Sequence, residues 1–451
     1  MKPVSLTEDN IGISLIRFGI PFLFASLLQS LYGAADMFVV GRFSGSAAVS
    51  AVSVGSQILM MITGIVMGLC TGGTVLIARR IGEKNTEGAA RAVGTMAVSF
   101  AAMGVFLTPL VLLLSSQLVS VMKAPSEAFE LTKQYVMICA CGIPFIIGYN
   151  VTSGIFRGSG DSKTPVIFIM IACIINIAAD FLFVGVFEWS AGGAALATVL
   201  AQSLSFVLSV VYIKYKGLAF EIGRRHVLID REALRNIFKV GAPLAFQSGF
   251  ISLSFLIITA IINELGLVAS AAVGVTEKLI SFFMLPAGAF SAATATMVAQ
   301  NIGARKPGRA IKSMSTSIAY SLAISTVFFV FTQFNPQSLA AIFSKDPAVI
   351  QAASLYLRSF SIDCLIVCFV FNFNSYFSGC GKSMITMLHN FITTFLVRVP
   401  LSYLLKGIKV NTLFYMGLAA PAASAVSVAI CLAYFWYLKK NSADYVLEGM
   451  S

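Results

Sequence analysis

Charged side chains are scarce in this sequence. Only 11% of its 451 residues are Asp, Glu, Lys or Arg, whereas 58% are hydrophobic. A water-soluble protein carries about 25% charged residues, which cover the surfaces of its domains. The mean hydropathy of +0.88 agrees with this shortage of charge. The composition therefore excludes a string of soluble domains and predicts a protein that crosses a membrane many times.

The sequence also lacks the cysteine patterns of a disulfide or zinc scaffold. None of its eight cysteines forms a CxxC pair, and most, such as Cys70, Cys139 and Cys364, lie inside apolar runs. This placement predicts buried free thiols. The net charge of +12 does not indicate nucleic-acid binding, because Lys and Arg form short clusters between apolar stretches and not a basic patch on a polar domain.

Twelve apolar stretches are long enough to cross a membrane, which takes about 20 residues for a helix. They cover approximately residues 14–40, 47–72, 92–116, 135–156, 165–187, 192–214, 237–262, 268–299, 313–334, 352–377, 384–405 and 414–438. The polar start of the chain and the long first span do not resemble a cleavable signal peptide. We expect an all-α polytopic protein in the inner or plasma membrane of the cell.

The distribution of Lys and Arg predicts the orientation. With the N-terminus inside, the inner segments carry 22 of these residues and the outer loops carry 7. Cytoplasmic loops are enriched in Lys and Arg, so both termini are predicted to be cytoplasmic. Residues 214–239 hold seven of the basic residues at the middle of the chain. His226 lies among them and is expected to be solvated.

An internal repeat divides the chain into two halves of six spans. Ala78-Arg-Arg-Ile-Gly82 recurs as Ala299-Gln-Asn-Ile-Gly303, and Phe156-Arg-Gly158-Ser-Gly160 recurs as Phe377-Ser-Gly379-Cys-Gly381, both after 221 positions. Such parallel repeats are typical of transporters, whose substrate path lies between the halves. We predict an N-terminal lobe over residues 1–213, a cytoplasmic basic linker over 214–236 and a C-terminal lobe over 237–451.

Two carboxylates lie within predicted spans of the first half. Asp36 is in the first span and Asp180 in the fifth, and neither has a basic residue within a helical turn or so in sequence. A charge at this depth costs about 2.5–3.5 kcal/mol and is a functional candidate by default. Asn176 shares a helix face with Asp180, and Thr198 of the sixth span offers a hydroxyl. The group predicts a site for a shared proton or a small cation; the alternative is structural, with each Asp bonded to a helix end or a hydroxyl.

The second half does not repeat this pair. Ile258 and Leu401 lie near the positions that correspond to Asp36 and Asp180. Its charged residues at membrane depth are Glu277, Lys278, Asp363 and Arg398. The adjacent Glu277 and Lys278 suit an interfacial role as well as a functional one. Arg398 precedes Pro400, where a helix kink frees backbone carbonyls that its guanidinium can bind, so we predict a structural role for it. The asymmetry predicts that ion coupling belongs mainly to the first half.

Several segments together resemble the multidrug and toxic compound extrusion (MATE) transporters, near the DinF-like bacterial branch of the MOP flippase superfamily. The resemblance runs from Phe18 to about Tyr437. Its motifs are Asp36-Met-Phe-Val-Val-Gly41, Ala78-Arg-Arg-Ile-Gly82, Phe156-Arg-Gly-Ser-Gly-Asp161 and Asn176-Ile-Ala-Ala-Asp180. Each motif is weak by itself, and their order and spacing are specific.

The resemblance implies two six-helix lobes with alternating access, which export organic cations against a Na⁺ or H⁺ gradient. It implies that Asp36, Asn176, Asp180 and Thr198 bind the coupling ion, and that they are its metal ligands if the ion is Na⁺. We expect the substrate cavity to include Gln29, Tyr32, Met60 and Asn150. The second-lobe cation site of other members is not matched, because Pro243–Ser248 contains no carboxylate and Asp363 lies about a turn too early.

The remaining function classes have less support. A flippase or exporter of lipid-linked or polysaccharide precursors would need several cations in its cavity, and only Lys278 and Arg398 are candidates. No spanning segment carries the motifs of an intramembrane protease, so we predict no enzymatic activity. We expect a monomer without a cofactor other than the coupling ion, whose partners are small organic cations and the bilayer.

Overall fold

The computed structural model describes residues 6–218, 220–408, 410 and 412–440. Twelve helices in this part of the chain are long and apolar enough to cross a membrane. They are α1 (Ile11–Phe43), α2 (Ser46–Gly82), α3 (Thr86–Leu113), α4 (Ser126–Gly158), α5 (Lys163–Val186), α6 (Ser190–Lys216), α7 (Arg231–Asn263), α8 (Leu267–Gly303), α9 (Pro307–Phe334), α10 (Pro347–Gly379), α11 (Ser383–Leu405) and α12 (Thr412–Lys440). The predicted all-α polytopic fold with twelve spans is confirmed. The termini lie outside the described residues.

Several helices extend beyond the apolar stretches that predict them. The α2 helix continues past residue 72 to Gly82 and carries Arg79 and Arg80 in its last turn. Its 37 residues span about 56 Å, whereas the hydrocarbon layer is only about 30 Å thick. An apolar stretch of sequence therefore predicts only the part of a helix that lies inside the hydrocarbon. The residues at which the helix begins and ends are indicated by its capping and turn residues.

The repeat in the sequence is also a repeat of the backbone. The α2–α3 turn places Lys84 at a φ of 57°, and the α8–α9 turn places Arg305 at 58°. Gly160 after α4 and Gly381 after α10 have φ values of 87° and 76°. Both pairs are 221 positions apart. Because positive φ favours glycine, the conformations of Gly160 and Gly381 account for the second glycine of each Gly-x-Gly motif. Each of these glycines forms a tight turn at a helix end.

The first glycine of each motif allows two helices to approach closely. A Cβ atom on Gly158 in α4 would lie 2.8 Å from the carbonyl oxygen of Thr74 in α2. A Cβ atom on Gly379 in α10 would lie 2.9 Å from the carbonyl oxygen of Ala295 in α8. Thr74 and Ala295 are again 221 positions apart. The same helix–helix contact therefore occurs in both halves.

The described chain folds as two compact units. Unit 1 is Phe24–Ala245, and unit 2 is the described part of Ser5–Leu23 together with that of Phe246–Ser451. Within α1 and α7 the boundary falls two residues after a proline, Pro21 and Pro243 respectively. A proline inside a helix removes a backbone hydrogen bond and is a usual position for a bend.

Each unit has its own apolar core. In unit 1, Ile77, Met96 and Val136 bring α2, α3 and α4 together. In unit 2, Phe283 and Leu357 join α8 to α10. Six of the eight cysteines are buried and all eight are free, as their apolar surroundings predict.

The predicted linker 214–236 is helical at both ends, because α6 continues to Lys216 and α7 begins at Arg231. The expectation that His226 is solvated is wrong, since it is only 5% exposed. Its Nε2 lies 3.1 Å from a carboxylate oxygen of Glu87, and its Nδ1 accepts a hydrogen bond from the amide of Gly223 at 3.0 Å. The division of the chain at this linker into two lobes stays a prediction.

Candidate functional site

The four residues predicted to form a cation site lie together inside unit 1. Asp36, Asn176, Asp180 and Thr198 are all buried, with exposed fractions between 0 and 8%. The hydroxyl of Thr198 donates a hydrogen bond of 3.3 Å to Oδ2 of Asp36. Asp180 and Asn176 also adjoin the Asp36 carboxyl group. Helices α1, α5 and α6 thus contribute to one polar cluster.

The end of α5 positions Asp180. Asp180 is the last residue of regular α-helix, and Phe181–Val186 continue as a wider π-helical turn. Such turns are frequent at functional sites. On α6, a Cβ atom at Gly193 would lie 3.1 Å from the backbone of Phe183. The small residues at the start of α6 therefore allow close contact with the π-helical turn and bring Thr198 toward the carboxylates.

Most polar atoms of the cluster have no hydrogen-bond partner in the described part of the chain, and none of the groups that adjoin Asp36 is basic. Oδ1 of Asp36, both carboxyl oxygens of Asp180 and both polar side-chain atoms of Asn176 have no hydrogen-bond partner among the described residues. The groups that adjoin Asp36 are a carboxyl, a hydroxyl and an amide. Each orphaned buried polar atom costs about 1–3 kcal/mol. A proton or a hard cation bound between the two carboxyl groups would satisfy the carboxyl oxygens, because all four residues offer oxygen ligands.

A pocket adjoins the cluster within unit 1. Its empty volume is about 290 Å³, counted with its open mouth. It is lined by Gln29, Tyr32, Tyr149, Ile169, Ala172, Asn176, Thr198, Ala201, Gln202 and Ser205. Asn176 and Thr198 thus belong both to the polar cluster and to the pocket wall. None of these lining residues is Lys or Arg.

Two of the four residues predicted for the substrate cavity line this pocket, and the other two do not. Gln29 and Tyr32 line the pocket. Asn150 is buried in α4, where its amide donates to the carbonyl of Ile146 at 2.8 Å, and it is not among the lining residues. Met60 is 73% exposed on α2 and does not line this pocket either. The assignment of these residues to substrate binding stays a prediction.

Sequence reasoning missed Gln202. Its amide donates a long hydrogen bond of 3.4 Å to the hydroxyl of Tyr32, and both residues line the pocket. Gln202 follows Thr198 by four residues on α6, so the two side chains share one helix face. That spacing was a signal for the missing residue, because an amide one turn from a candidate ligand inside an apolar span needs a polar partner.

Three of the four charged residues predicted at membrane depth in unit 2 have aromatic or hydroxyl neighbours. The guanidinium of Arg398 lies 4.9 Å from the ring centre of Phe255, and the ammonium of Lys278 lies 6.0 Å from that of Phe343. Asp363 is buried and adjoins the hydroxyl of Ser424. The position of Arg398 against an aromatic ring agrees with its structural interpretation.

His389 is the other buried titratable side chain of note in unit 2. Its Nε2 lies 2.6 Å from Oδ1 of Asn374, and its Nδ1 lies 2.9 Å from the hydroxyl of Ser427. Both partners are uncharged, so a neutral imidazole is satisfied as it stands. This arrangement agrees with a packed histidine more than with a proton relay.

The comparison with protein families matches the two halves of the chain separately. The model described as MatE matches residues 21–182 and again residues 243–404. The chain belongs to the MatE family. Its members are transporters and not enzymes. Each matched segment begins at one of the two helix prolines, Pro21 and Pro243, so the family match repeats after 222 positions, one more than the repeat of the backbone.

Individual relatives agree with the family assignment. A probable multidrug resistance protein of Bacillus subtilis, YpnP, is 26% identical over 445 residues, which cover 97% of each chain. An FAD transporter of Shewanella oneidensis is 27% identical over 369 residues, which cover 78% of each chain. The solved structure of a MOP superfamily transporter from Pyrococcus furiosus superimposes with a TM-score of 0.90 at 22% identity and covers 99% of both chains. The last comparison shows the MatE fold.

Proposed function

We propose that this protein is a secondary active exporter of small organic compounds, mainly cations, which Na⁺ or H⁺ drives through the Asp36–Asp180 site. It would work by alternating access between two lobes. The observation that carries the proposal is that Asn176 and Thr198 belong to both the carboxylate cluster and the pocket wall. Coupling ion and substrate would therefore be bound next to each other.

The charge of the cluster provides the coupling. Two adjoining carboxylates shielded from water cannot both stay ionised without a proton or a cation between them. An ion bound there holds α1 against α5, and its departure leaves negative charge beside the pocket. A cationic substrate is attracted by that charge. The next coupling ion then displaces the substrate from the pocket. The competition gives antiport.

Movement of α1 would connect this competition to access. Asp36 lies in the part of α1 that belongs to unit 1, beyond Pro21. Because Pro21 leaves a carbonyl of the preceding turn without its helical hydrogen bond, α1 can change its bend there at low cost. The ion shifts the protein between states only by its difference in affinity for the two arrangements of α1.

The pocket favours cations over anions. A phosphate-bearing substrate, such as a lipid-linked precursor or the FAD that the Shewanella relative is named for, needs Arg or Lys at the binding site. The described pocket has neither and lies beside two carboxylates. The relatives named as multidrug resistance proteins support an exporter of several compounds.

Transport in proteoliposomes tests the proposal. Purified protein is reconstituted in vesicles loaded with ethidium, and a Na⁺ or an H⁺ gradient is imposed separately. We expect one of the two gradients to drive ethidium movement in the wild type, and we expect Asp36→Asn and Asp180→Asn to abolish the gradient-driven part. Asparagine keeps the size of the side chain and removes the charge that the ion neutralises.

Glu188→Gln is a matched control. Glu188 is an exposed carboxylate in the loop between α5 and α6, eight residues after Asp180, so its loss changes the net charge equally without touching the cluster. Gradient-driven transport that persists in both Asp variants would refute the role of the pair. Movement of an anionic substrate in place of ethidium would favour the flippase alternative.

A further inference from the structure

The segment between α6 and α7 presents three consecutive apolar side chains to the outside of unit 1. Val227 is 50% exposed, Leu228 is 68% exposed and Ile229 is 49% exposed. They are flanked by the basic residues Arg225 and Arg231. An exposed apolar run in a polar connection is unusual for a protein surface that faces only water.

The backbone of this segment is fixed against α3. The hydroxyl of Thr95 donates to the carbonyl of Leu228 at 3.3 Å and accepts from the amide of Asp230 at 3.0 Å. A Cβ atom on Gly94 would lie 1.7 Å from the carbonyl oxygen of His226, so only glycine permits the approach. The buried His226 and its contact with Glu87 anchor the inner side of the segment. The three apolar side chains are thus held in place.

The charge pattern of α3 indicates that the segment meets this helix at the edge of the hydrocarbon layer. Arg91 is the last charged residue of α3, and it precedes Gly94 by about 4.5 Å along the helix axis. From residue 94 to residue 113 the helix contains no charged side chain. This stretch spans about 30 Å, which is the thickness of the hydrocarbon. The apolar triplet therefore lies where acyl chains meet headgroups.

The charge around the triplet is complementary to anionic headgroups. Three acidic residues near it already have partners: Glu87 pairs with Arg225, Glu232 pairs with Arg80, and Asp230 accepts a hydrogen bond from the amide of Ala233. Exposed basic side chains remain on one face of α7, where Arg231 and Arg235 are one turn apart. Basic residues at this depth are attracted by anionic lipids, and their aliphatic stems suit the interface.

We propose that Val227-Leu228-Ile229 insert into the headgroup–acyl boundary of the adjacent leaflet, the one predicted to be cytoplasmic, and that Arg231 and Arg235 bind anionic lipid headgroups beside them. The segment between the two repeats would then be a membrane-surface anchor. This anchoring of the segment does not depend on which substrate or ion the protein transports.

Tryptophan quenching in vesicles tests the insertion. The chain has two tryptophans, Trp189 and Trp436, which are replaced by phenylalanine, and Leu228→Trp then supplies a single probe in the full-length protein. We expect phosphatidylcholine brominated near the carbonyl end of its acyl chains to quench this probe more strongly than lipid brominated near the chain end. Lys84→Trp in the α2–α3 turn is the control, since residue 84 precedes the start of α3 at Thr86, and Thr86 lies about 12 Å from Gly94 along the helix axis on the charged side.

Two results would overturn the insertion. One is quenching of the Leu228→Trp probe that is no stronger than quenching of the Lys84→Trp probe, and the other is ready quenching of the Leu228→Trp probe by aqueous acrylamide. Ile229→Trp gives a second reading if the first variant does not fold.

Lipids of different charge test the headgroup binding. Brominated phosphatidylglycerol should quench the Leu228→Trp probe roughly twofold more than brominated phosphatidylcholine at equal mole fraction. Arg231→Gln with Arg235→Gln should remove the difference. Equal quenching by both lipids with these two arginines in place would refute headgroup binding. Neither readout requires transport.

Discussion

Replacing Gly379 by alanine should loosen the contact between α8 and α10. The added Cβ atom would lie 2.8 Å from Cγ1 of Val298 and 2.9 Å from the carbonyl oxygen of Ala295. Ordinary contacts begin at 3.4 Å, so the helices have to separate by about 0.6 Å in a close-packed interior. A branched side chain on one side and backbone on the other leave little room for local adjustment. Overpacking of this kind costs about 1–3 kcal/mol.

The cost should be visible as a lower thermal stability. A change of 1 kcal/mol shifts the Tm by about 2–4 °C for a unit of 150–250 residues, so we expect Gly379→Ala to lower the apparent Tm by roughly 5 °C. A thiol-reactive dye is a suitable reporter in detergent, because six of the eight cysteines are buried and become reactive on unfolding. Gly158→Ala, at the equivalent contact in unit 1, should behave in the same way.

Gly288→Ala is the matched control for this prediction. Gly288 lies inside α8, the helix that Gly379 contacts, and a Cβ atom there meets nothing within 4 Å. Alanine is the better helix former by about 0.5–1 kcal/mol, so this substitution should leave the Tm unchanged or raise it slightly. If Gly379→Ala were as stable as Gly288→Ala, the close approach at the repeated glycine would not be a packing constraint.

Two further predictions concern the pocket and the cation site. If Na⁺ is the coupling ion, Thr198→Val should weaken Na⁺ binding about fivefold, because it removes a ligand oxygen that lies 3.3 Å from Oδ2 of Asp36 and is worth about 1 kcal/mol. The Na⁺ concentration for half-maximal transport measures this binding. Thr198→Ser keeps the oxygen and should restore the wild-type value, and equal values for Val and Ser would contradict the prediction. Tyr32→Phe should raise the KM for ethidium a few-fold at most, since its bond to Gln202 is 3.4 Å long, and should leave gradient coupling intact. Loss of coupling in Tyr32→Phe would contradict the assignment of Tyr32 to the substrate pocket and not to the ion site.

Much of the fold follows from physical rules that act on short segments. Each span has to satisfy its backbone internally in lipid, so twelve apolar stretches give twelve helices. The repeat was visible because its turns require glycine at Gly160 and Gly381. The ends of α2 and α4 were not predictable from hydropathy, since a helix that has left the hydrocarbon is no longer constrained by lipid.

The candidate site was predictable for a different reason. Asp36 and Asp180 stand out because charge is costly at membrane depth, and the structure brings them together with Asn176 and Thr198. Gln202 and the buried position of His226 were missed. Both depend on which neighbouring helix a polar side chain faces, and that is decided by tertiary packing and not by local sequence.

The central claim is that the coupling ion and a cationic substrate compete for the charge of Asp36 and Asp180. The most direct test is ion release on binding, measured with ethidium added to purified protein in weakly buffered detergent. A pH indicator follows H⁺, and radiolabelled Na⁺ follows sodium. We expect the wild type to release one of the two ions as ethidium binds, and we expect Asp36→Asn to release neither while Glu188→Gln behaves like the wild type. Saturable ethidium binding to the wild type without release of either ion would contradict the account.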